Sequence, residues 1–380
     1  MINNLKLHNF KAYKDQEFEF FNLTVFCGNN SVGKSTAIQA ISIPLQSYFD
    51  SKITLNGPLS EVGTIDDALH KHAQNASLEI ELSIDGQSVS WGYDDTVDLE
   101  GISKYNRHLI VKKIQTKELN KSLRNILDNF QYLQAERYGP RSNFDITESN
   151  RFHNDWLGAK GEFTAELLSQ SDSTRRLFVG GVFHADEKQR DPRLHASEPR
   201  SLLHRQVDAW MKEISPGISV TSKLFEDASV AVNVFDQNAS KSLKPHNVGF
   251  GVSYALSIVT ALLHTRVGGL VILENPEAHL HPRGQSYLGR LIALTAQAGV
   301  QVIVETHSDH LINGMRLMPR LGLVDASKMR IYQVYADLDD KCSKVIPITV
   351  NGQGELSEWP EQFFDQQLID MDILMSGQDQ

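Results

Sequence analysis

Near the amino terminus, Gly28 to Ser35 read "GNNSVGKS" and carry the residue types and spacing of a phosphate cradle, G-x-x-x-x-G-K-[ST]. Such glycines let the chain turn tightly enough for successive backbone N–H groups to converge on phosphate oxygens, and a helix that starts there adds its positive end. On this reading Asn29, Asn30, Ser31, Val32 and Gly33 form the loop, Lys34 reaches the β- and γ-phosphates, Ser35 ligates Mg²⁺ and Thr36 steadies the turn. The chemistry is that of a bound nucleoside triphosphate.

A second set of reactive residues lies far along the chain. "GLVILENPEAHLHP" (269–282) is an apolar run closing on Glu274, an acid placed to hold Mg²⁺ or its water from the side opposite Ser35. One helix later, "VIVETHSDHLIN" (302–313) places His307 just past another apolar run, where an imidazole can hydrogen-bond a γ-phosphate or the attacking water. Acids at the carboxyl edge of a sheet sit where open α/β folds bind ligands.

These groups need a scaffold, and the sequence supplies its rhythm. Residues 2–10 alternate as a strand, and "FEFFNLTVFCG" (18–28) reads as a second strand running straight into the glycine turn. "STAIQAISIPLQSYF" (35–49) is a helix, so strand, turn and helix come in the required order. "ASLEIELSIDGQSVSWGY" (76–93) is a hairpin turning at Asp85-Gly86. Residues 100–240 lose the strand rhythm and are expected to form a mostly helical insertion with long loops. After 245 the alternation returns: helix 253–265, strand "GGLVILEN", helix 283–299, strand "VQVIVETHS". Unbroken apolar strands suit a parallel sheet covered on both faces. The fold class is α/β, divided as 1–99, 100–240, 241–350 and a tail, 351–380.

The chain has 380 residues, 41% hydrophobic and 22% charged, the balance of a folded protein. No apolar run approaches the ~18 residues a bilayer demands, and "MINNLKLHNF" does not read as a secretory signal. Only Cys27 and Cys342 occur, which fits a reducing, cytoplasmic setting. A net charge of −10 argues against uniform coating of nucleic acid. It leaves a basic stretch at Lys104, Arg107, Lys112, Lys113, Lys117, Lys121 and Arg124, either a solvated face or a surface for phosphate backbone or a partner.

Taken together, the cradle, "PEAHLHP" and "ETHSDHLI" resemble the ABC-type ATPases of the SMC/RecF/OLD-nuclease group. More narrowly, the chain is similar to small bacterial AAA-type ATPases with a C-terminal segment of unknown function. "YLQAERYGPR" (132–141), "NVGFGVSYALSIV" (247–259) and "NGQGELSEWPEQFFDQ" (351–366) extend the likeness. The resemblance implies an ABC ATPase head: a P-loop NTPase core with a mixed or parallel sheet and an N-terminal antiparallel β region. It implies ATP and Mg²⁺ as ligands and a homodimer, or a higher homo-oligomer, with ATP between two heads. Gly249, Gly251 and Ser253 then form a degenerate signature facing the partner's γ-phosphate. Gln134 becomes the Mg²⁺-sensing glutamine, and Arg137 a second phosphate- or interface-facing group.

One position departs from that pattern. Relatives carry Asp then Glu at the strand end; here the pair is Glu274-Asn275. An amide orients water but cannot take its proton. Either Glu277 assumes the role or hydrolysis is slow and the ATP-bound state long-lived. The signature is no clear LSGGQ, no sustained heptads occur, and the tail acids are too scattered for a nuclease centre. The expectation is an ATP-gated ATPase that regulates a separate effector, a nuclease or toxin, in anti-phage defence, with no membrane partner. The alternative is a DNA-binding clamp of repair or genome maintenance, acting through the basic residues of 104–124 and 175–205.

Overall fold

The structure, a computed structural model, describes residues 1–94, 106–113, 116–147, 149–173, 175–183, 190–237, 241–360 and 363–377; Lys104 lies outside them. Strands and helices are numbered along the chain. An antiparallel sheet holds β1 (Ile2–Phe10), β2 (Tyr13–Glu19), β4 (Lys52–Thr54), β5 (Leu78–Ile84), β6 (Gln87–Tyr93) and β7 (His108–Lys113), in the order β2-β1-β5-β6-β7-β4. The core sheet holds β3 (Leu23–Cys27), β8 (Phe130–Leu133), β13 (Leu270–Glu274), β14 (Gln301–Glu305), β15 (Met329–Asp337) and β16 (Cys342–Thr349), in the order β16-β15-β3-β14-β13-β8. All are parallel except β16, which returns antiparallel along β15. A small third sheet comprises β9 (Phe144–Asp145), β10 (Ile218–Phe225), β11 (Val230–Gln237) and β12 (Lys241–Leu243).

Along β13, Leu270 and Ile272 enter a core shared with the antiparallel sheet and α1 (Lys34–Gln46), while Val271 and Leu273 enter a second core beneath the helices. Those helices are α4 (Thr164–Ser173), α5 (Leu203–Ile214), α6 (Phe250–His264), α7 (Pro282–Gln297) and α8 (Asp309–Arg320). Both faces of β13 are therefore dry, which explains its unbroken apolar run. Three further helices lie outside this layer: the short α2 (Ile65–Ala68), α3 (Lys117–Leu127) behind the hairpin, and α9 (Gln366–Ser376) near the carboxyl end.

Two expectations need correction. Residues 18–28 are not one strand: β2 ends at Glu19 in the antiparallel sheet and β3 begins at Leu23 in the core sheet. The Phe21 N–H donates to Thr24 Oγ1 at 3.0 Å and turns the chain, and Phe18 meets Phe26 edge-on at 5.4 Å across the bend. The phenylalanines at 18, 20 and 21 masked that break. Residues 100–240 are also less helical than expected. They hold α3, α4 and α5 but also give β7 to the antiparallel sheet and β8 to the core sheet and supply β9, β10 and β11. The half-buried alternation of "ISVTSKLF" and "VAVNVFDQ" is a strand signal diluted by polar residues.

The strand order fixes the site. β14 lies between β3, which carries the cradle, and β13, which carries Glu274. Helices α7 and α8, which flank β14 in sequence, approach so closely that a Cβ on Gly289 would lie 2.1 Å from the Leu311 carbonyl oxygen, and one on Gly314 2.1 Å from that of Ser286. Gly314→Val is expected to lower stability by about 2 kcal/mol through overpacking, read as a lower urea midpoint at unchanged slope.

Candidate nucleotide and metal site

The cradle leaves β3 at Cys27 and enters α1 at Lys34. Gly28 and Gly33 hold φ of 135° and 102°, and Ser31 64°. A Cβ on Gly28 would lie 2.2 Å from the Val334 carbonyl oxygen, and one on Gly33 2.8 Å from the Ala12 Cβ, so side chains are excluded at both turns. The Lys34 ammonium donates to the carbonyls of Gly28 (3.0 Å) and Asn29 (2.5 Å), stretching across the loop it must serve. Burial lowers its pKa, while the carboxylates of Glu305 and Glu277 pull it back up.

A cleft of about 720 Å³ opens over the loop. Asn30, Ser31, Gly33, Lys34, Ser35 and Thr36 form one side, and Asn275, Glu305 and His307 stand on its wall. Lys11 and Lys71 also border it; neither stood out in the sequence, because single lysines near β1 and α2 carry no motif. Val32 instead packs into the core shared with the antiparallel sheet. Asn29 borders a neighbouring cleft of about 580 Å³, shared with His307, Phe363 and Phe364 of the tail.

At the end of β13, the Tyr132 hydroxyl and the Ala135 N–H both donate to the Glu274 carboxylate, the latter at 3.1 Å, turning it toward β8. The Arg137 guanidinium, 3% exposed, donates to the carbonyls of Gln134, Glu274 and Asn275, each at 2.7 Å, and lies 5.1 Å from the Tyr254 ring centre. Burial pushes its pKa down to about 10. It faces inward onto the strand end, not outward to a phosphate or an interface as expected. Asn275 takes φ of 44°; its N–H donates to the Glu305 carbonyl at 2.9 Å, and its Oδ1 is buried with no protein partner. Glu277 pairs with neither neighbouring histidine: it accepts from Thr306 Oγ1 at 2.8 Å and from the His307 N–H at 2.7 Å. Burial and nearby Lys34 lower the pKa of His307, while Glu277 pulls it back up.

The residue that sequence reasoning missed is Glu305. It is opposite Glu274 in the β13–β14 register, is 5% exposed, and accepts a hydrogen bond from Ser35 Oγ at 2.9 Å. Burial raises its pKa to about 7 against the Ser35 bond, and Glu274 and Glu277 add to the rise. A clue was present: "VIVE" ends a fully buried apolar strand on a charge, as "LVILE" does. Gln134, by contrast, donates to the carbonyls of Pro58 (3.3 Å) and Leu59 (3.0 Å) and does not line the cleft.

The signature residues lie away from the cleft of their own chain. Gly249 caps α6 in the open, with nothing within 4 Å of a Cβ placed there, and Phe250 beside it is 57% exposed. Gly251 is buried against the His279 carbonyl, and Ser253 is half-buried. Phe250 and Tyr254 stack near His279, at 5.8 and 5.1 Å between ring centres, so this helix start adjoins the 275–281 loop.

ATP–Mg²⁺ fits these residues. The glycine-strained loop, the lysine and the hydroxyl suit phosphates and a metal, Glu274 and Glu277 add negative charge around buried Glu305, and the orphaned Asn275 Oδ1 lacks a polar partner.

Fold and site together define an α/β core of the P-loop NTPase kind. Residues 23–313 match the family described as "AAA domain, putative AbiEii toxin, Type IV TA system", and the chain belongs to that family. Residues 334–374 match a second family, described as a protein of unknown function (DUF3696). Among solved structures, the chain is similar to an Smc head with an extended coiled coil bound to the C-terminal domain of ScpA, from Pyrococcus furiosus: 16% identity, 100% of this chain and 99% of that one, TM-score 0.53. It is also similar to an Smc head bound to the C-winged helix domain of ScpA: 15% identity, 92% and 98% of the two chains, TM-score 0.53. At that identity the likeness concerns the fold. No curated protein sequence matches the chain. Among the described residues no helix is long and apolar enough to cross a membrane.

Arg137→Ala removes three carbonyl contacts from the acid-bearing turn. It is expected to cost about 3 kcal/mol, read by urea unfolding, and Arg137→Lys should restore only part because one ammonium cannot span the fork.

Proposed function

We propose that the chain binds ATP with Mg²⁺ at the 28–36 loop, pairs head to head with a second copy around the nucleotide, and hydrolyses it slowly. The observation that carries this reading is the open start of α6: Gly249, with no side-chain cap and open space around it, and exposed Phe250 set the helix's N-terminal end at the surface, beside the loop that follows Glu274. A helix start so placed suits the γ-phosphate of nucleotide held by another copy. The nucleotide is then gripped from two sides, and loss of the γ-phosphate removes one grip.

Residue roles follow from position. Lys34 and the loop amides bind the β- and γ-phosphates, His307 donates to or orients around the γ-phosphate, and Ser35 and the acids of the strand ends hold the metal. Mg²⁺, when bound, neutralises phosphate charge. Asn275 orients water and cannot accept its proton. Glu277, the other candidate base, is committed to Thr306 and the His307 N–H. General-base assistance is worth roughly 10²–10⁴-fold, so its weakness makes a long-lived closed state.

The output of such a clamp is a change of partner. The family description includes a toxin, and an Smc head in one similar structure is bound to a domain of another protein. We therefore favour control of a separate effector, a nuclease or toxin, in anti-phage defence. The DNA-clamp reading is weaker on charge. Lys112 pairs with Glu79 and Asp94 at 2.7 and 2.6 Å, Lys113 with Glu81, Arg175 with Asp155, Arg200 with Glu198, and Arg193 is buried on Asp191. Such paired cations release few counterions from a phosphate backbone, which leaves, among the described residues, Arg107, Lys117, Lys121 and Arg124 as the other exposed cations of the 104–124 stretch.

Mass measurement in solution tests the clamp. The 42.6 kDa chain is expected to double in mass with ATP–Mg²⁺, and Lys34→Ala to stay single. A parent that remains single at saturating nucleotide ends the reading. Asn275→Glu is expected to raise turnover by about 10²-fold or more and to shorten the dimer's lifetime; unchanged turnover removes Asn275 as the limiting deficit.

A further inference from the structure

We propose that Glu305 is the carboxylate that completes the metal site with Ser35, a place the sequence pattern assigns to other residues. The inference rests on the reading of the cleft as an ATP–Mg²⁺ site and goes beyond it by naming the ligand.

The geometry separates the candidates. Glu274 ends β13, one strand further from the cradle than β14, and both its oxygens accept bonds from the β8 side, from Tyr132 and Ala135. Gln134 is engaged on the 58–59 carbonyls. Glu305 ends β14, the strand adjacent to β3, and lines the cleft with Ser35. The Ser35 hydroxyl spends its one proton on Glu305 Oε1 at 2.9 Å, which leaves the serine oxygen lone pairs directed elsewhere, as a metal ligand requires.

Charge points the same way. Glu305 sits among Glu274 and Glu277 with Lys34 as the nearby cation. Among the described residues no three His, Cys, Asp or Glu side chains form a metal cage by themselves. Mg²⁺ binds through one or two carboxylates and completes its shell with phosphate oxygens and water. Glu305 and Ser35 are then the protein's share, and nucleotide supplies the rest. Glu274 keeps a supporting role, braced by Tyr132 beside Glu305.

The test uses the full chain with Mn²⁺ as probe, its binding followed by electron paramagnetic resonance with saturating ATP. Glu305→Gln keeps an acceptor for Ser35 but loses the charge. It is expected to weaken Mn²⁺ binding about tenfold or more, with no loss of metal-free ATP binding in EDTA, since removing a carboxylate beside the phosphates can only ease their approach. Gln134→Ala should bind Mn²⁺ like the parent. Parent-like Mn²⁺ binding in Glu305→Gln overturns the proposal, as does a parallel loss of metal-free ATP binding or a loss that appears in Gln134→Ala instead. A second measurement needs no variant: Fe²⁺ bound with ATP, given ascorbate and peroxide, should cut the parent backbone near residues 35 and 305. Cuts near 134 with none near 305 overturn it equally. A parent that binds neither Mn²⁺ nor ATP overturns the nucleotide reading itself, whereas a parent that binds both beside a parent-like Glu305→Gln defeats only the assignment of Glu305.

Discussion

Two parallel strands end side by side in glutamates, and the site is organised around holding that pair of carboxyl groups, Glu305 buried and Glu274 half-buried, at one sheet edge. Glu274 and Glu305 are opposite one another in register, with Glu277 close by. Carboxylates gathered away from water repel one another and lose hydration. The surrounding groups answer that cost individually: Tyr132 and the Ala135 N–H for Glu274, Ser35 for Glu305, Thr306 and the His307 N–H for Glu277. Lys34 adds positive charge from the cradle, and Arg137 secures the backbone behind the pair.

Backbone geometry follows from this constraint. The chain must leave β13 sharply enough to carry Glu277 back toward β14, and Asn275 makes that turn in the left-handed region at φ of 44°. Asparagine tolerates such a φ better than glutamate does. On the proposed reading, the position that weakens proton transfer also eases the turn, and an amide there adds no further carboxylate to the site. Chemistry and fold favour the same residue for different reasons.

Much of this was legible before any coordinates. The cradle announced itself because glycine spacing, lysine and hydroxyl are all local, and Gly28 and Gly33 hold the positive φ that their positions demand. The core strands β13 and β14 were legible because burial on both faces makes an apolar run. Other parts were hidden for definite reasons. The break at Phe21 depends on a Thr24 hydroxyl that no periodicity reveals, and the small third sheet is built from strands half wet. Glu305 was overlooked because its significance is a register: it becomes a partner for Ser35 only once β14 is placed between β3 and β13. Arg137 looked like an outward-facing cation until its carbonyl partners showed it turned inward.

Arg137 also joins two surfaces that the sequence presents as separate. Its guanidinium grips the carbonyls of Glu274 and Asn275 on one side and stacks on Tyr254 on the other, and Tyr254 lies in the first turns of α6, past exposed Gly249 and Phe250. Tyr254 in turn meets His279 at the far end of the same acid-bearing loop. The open helix start and the turn after β13 are therefore packed as one body, with a cation of fixed fork geometry as the hub. A shift of α6 by even a fraction of a turn would drag on the carbonyls that seat Glu274 and Asn275, because close-packed interiors transmit displacement instead of absorbing it. In the clamp proposed above, whose closing surface is the start of α6, this linkage would carry contact with a second copy to the strand ends that the reading assigns to phosphate and metal.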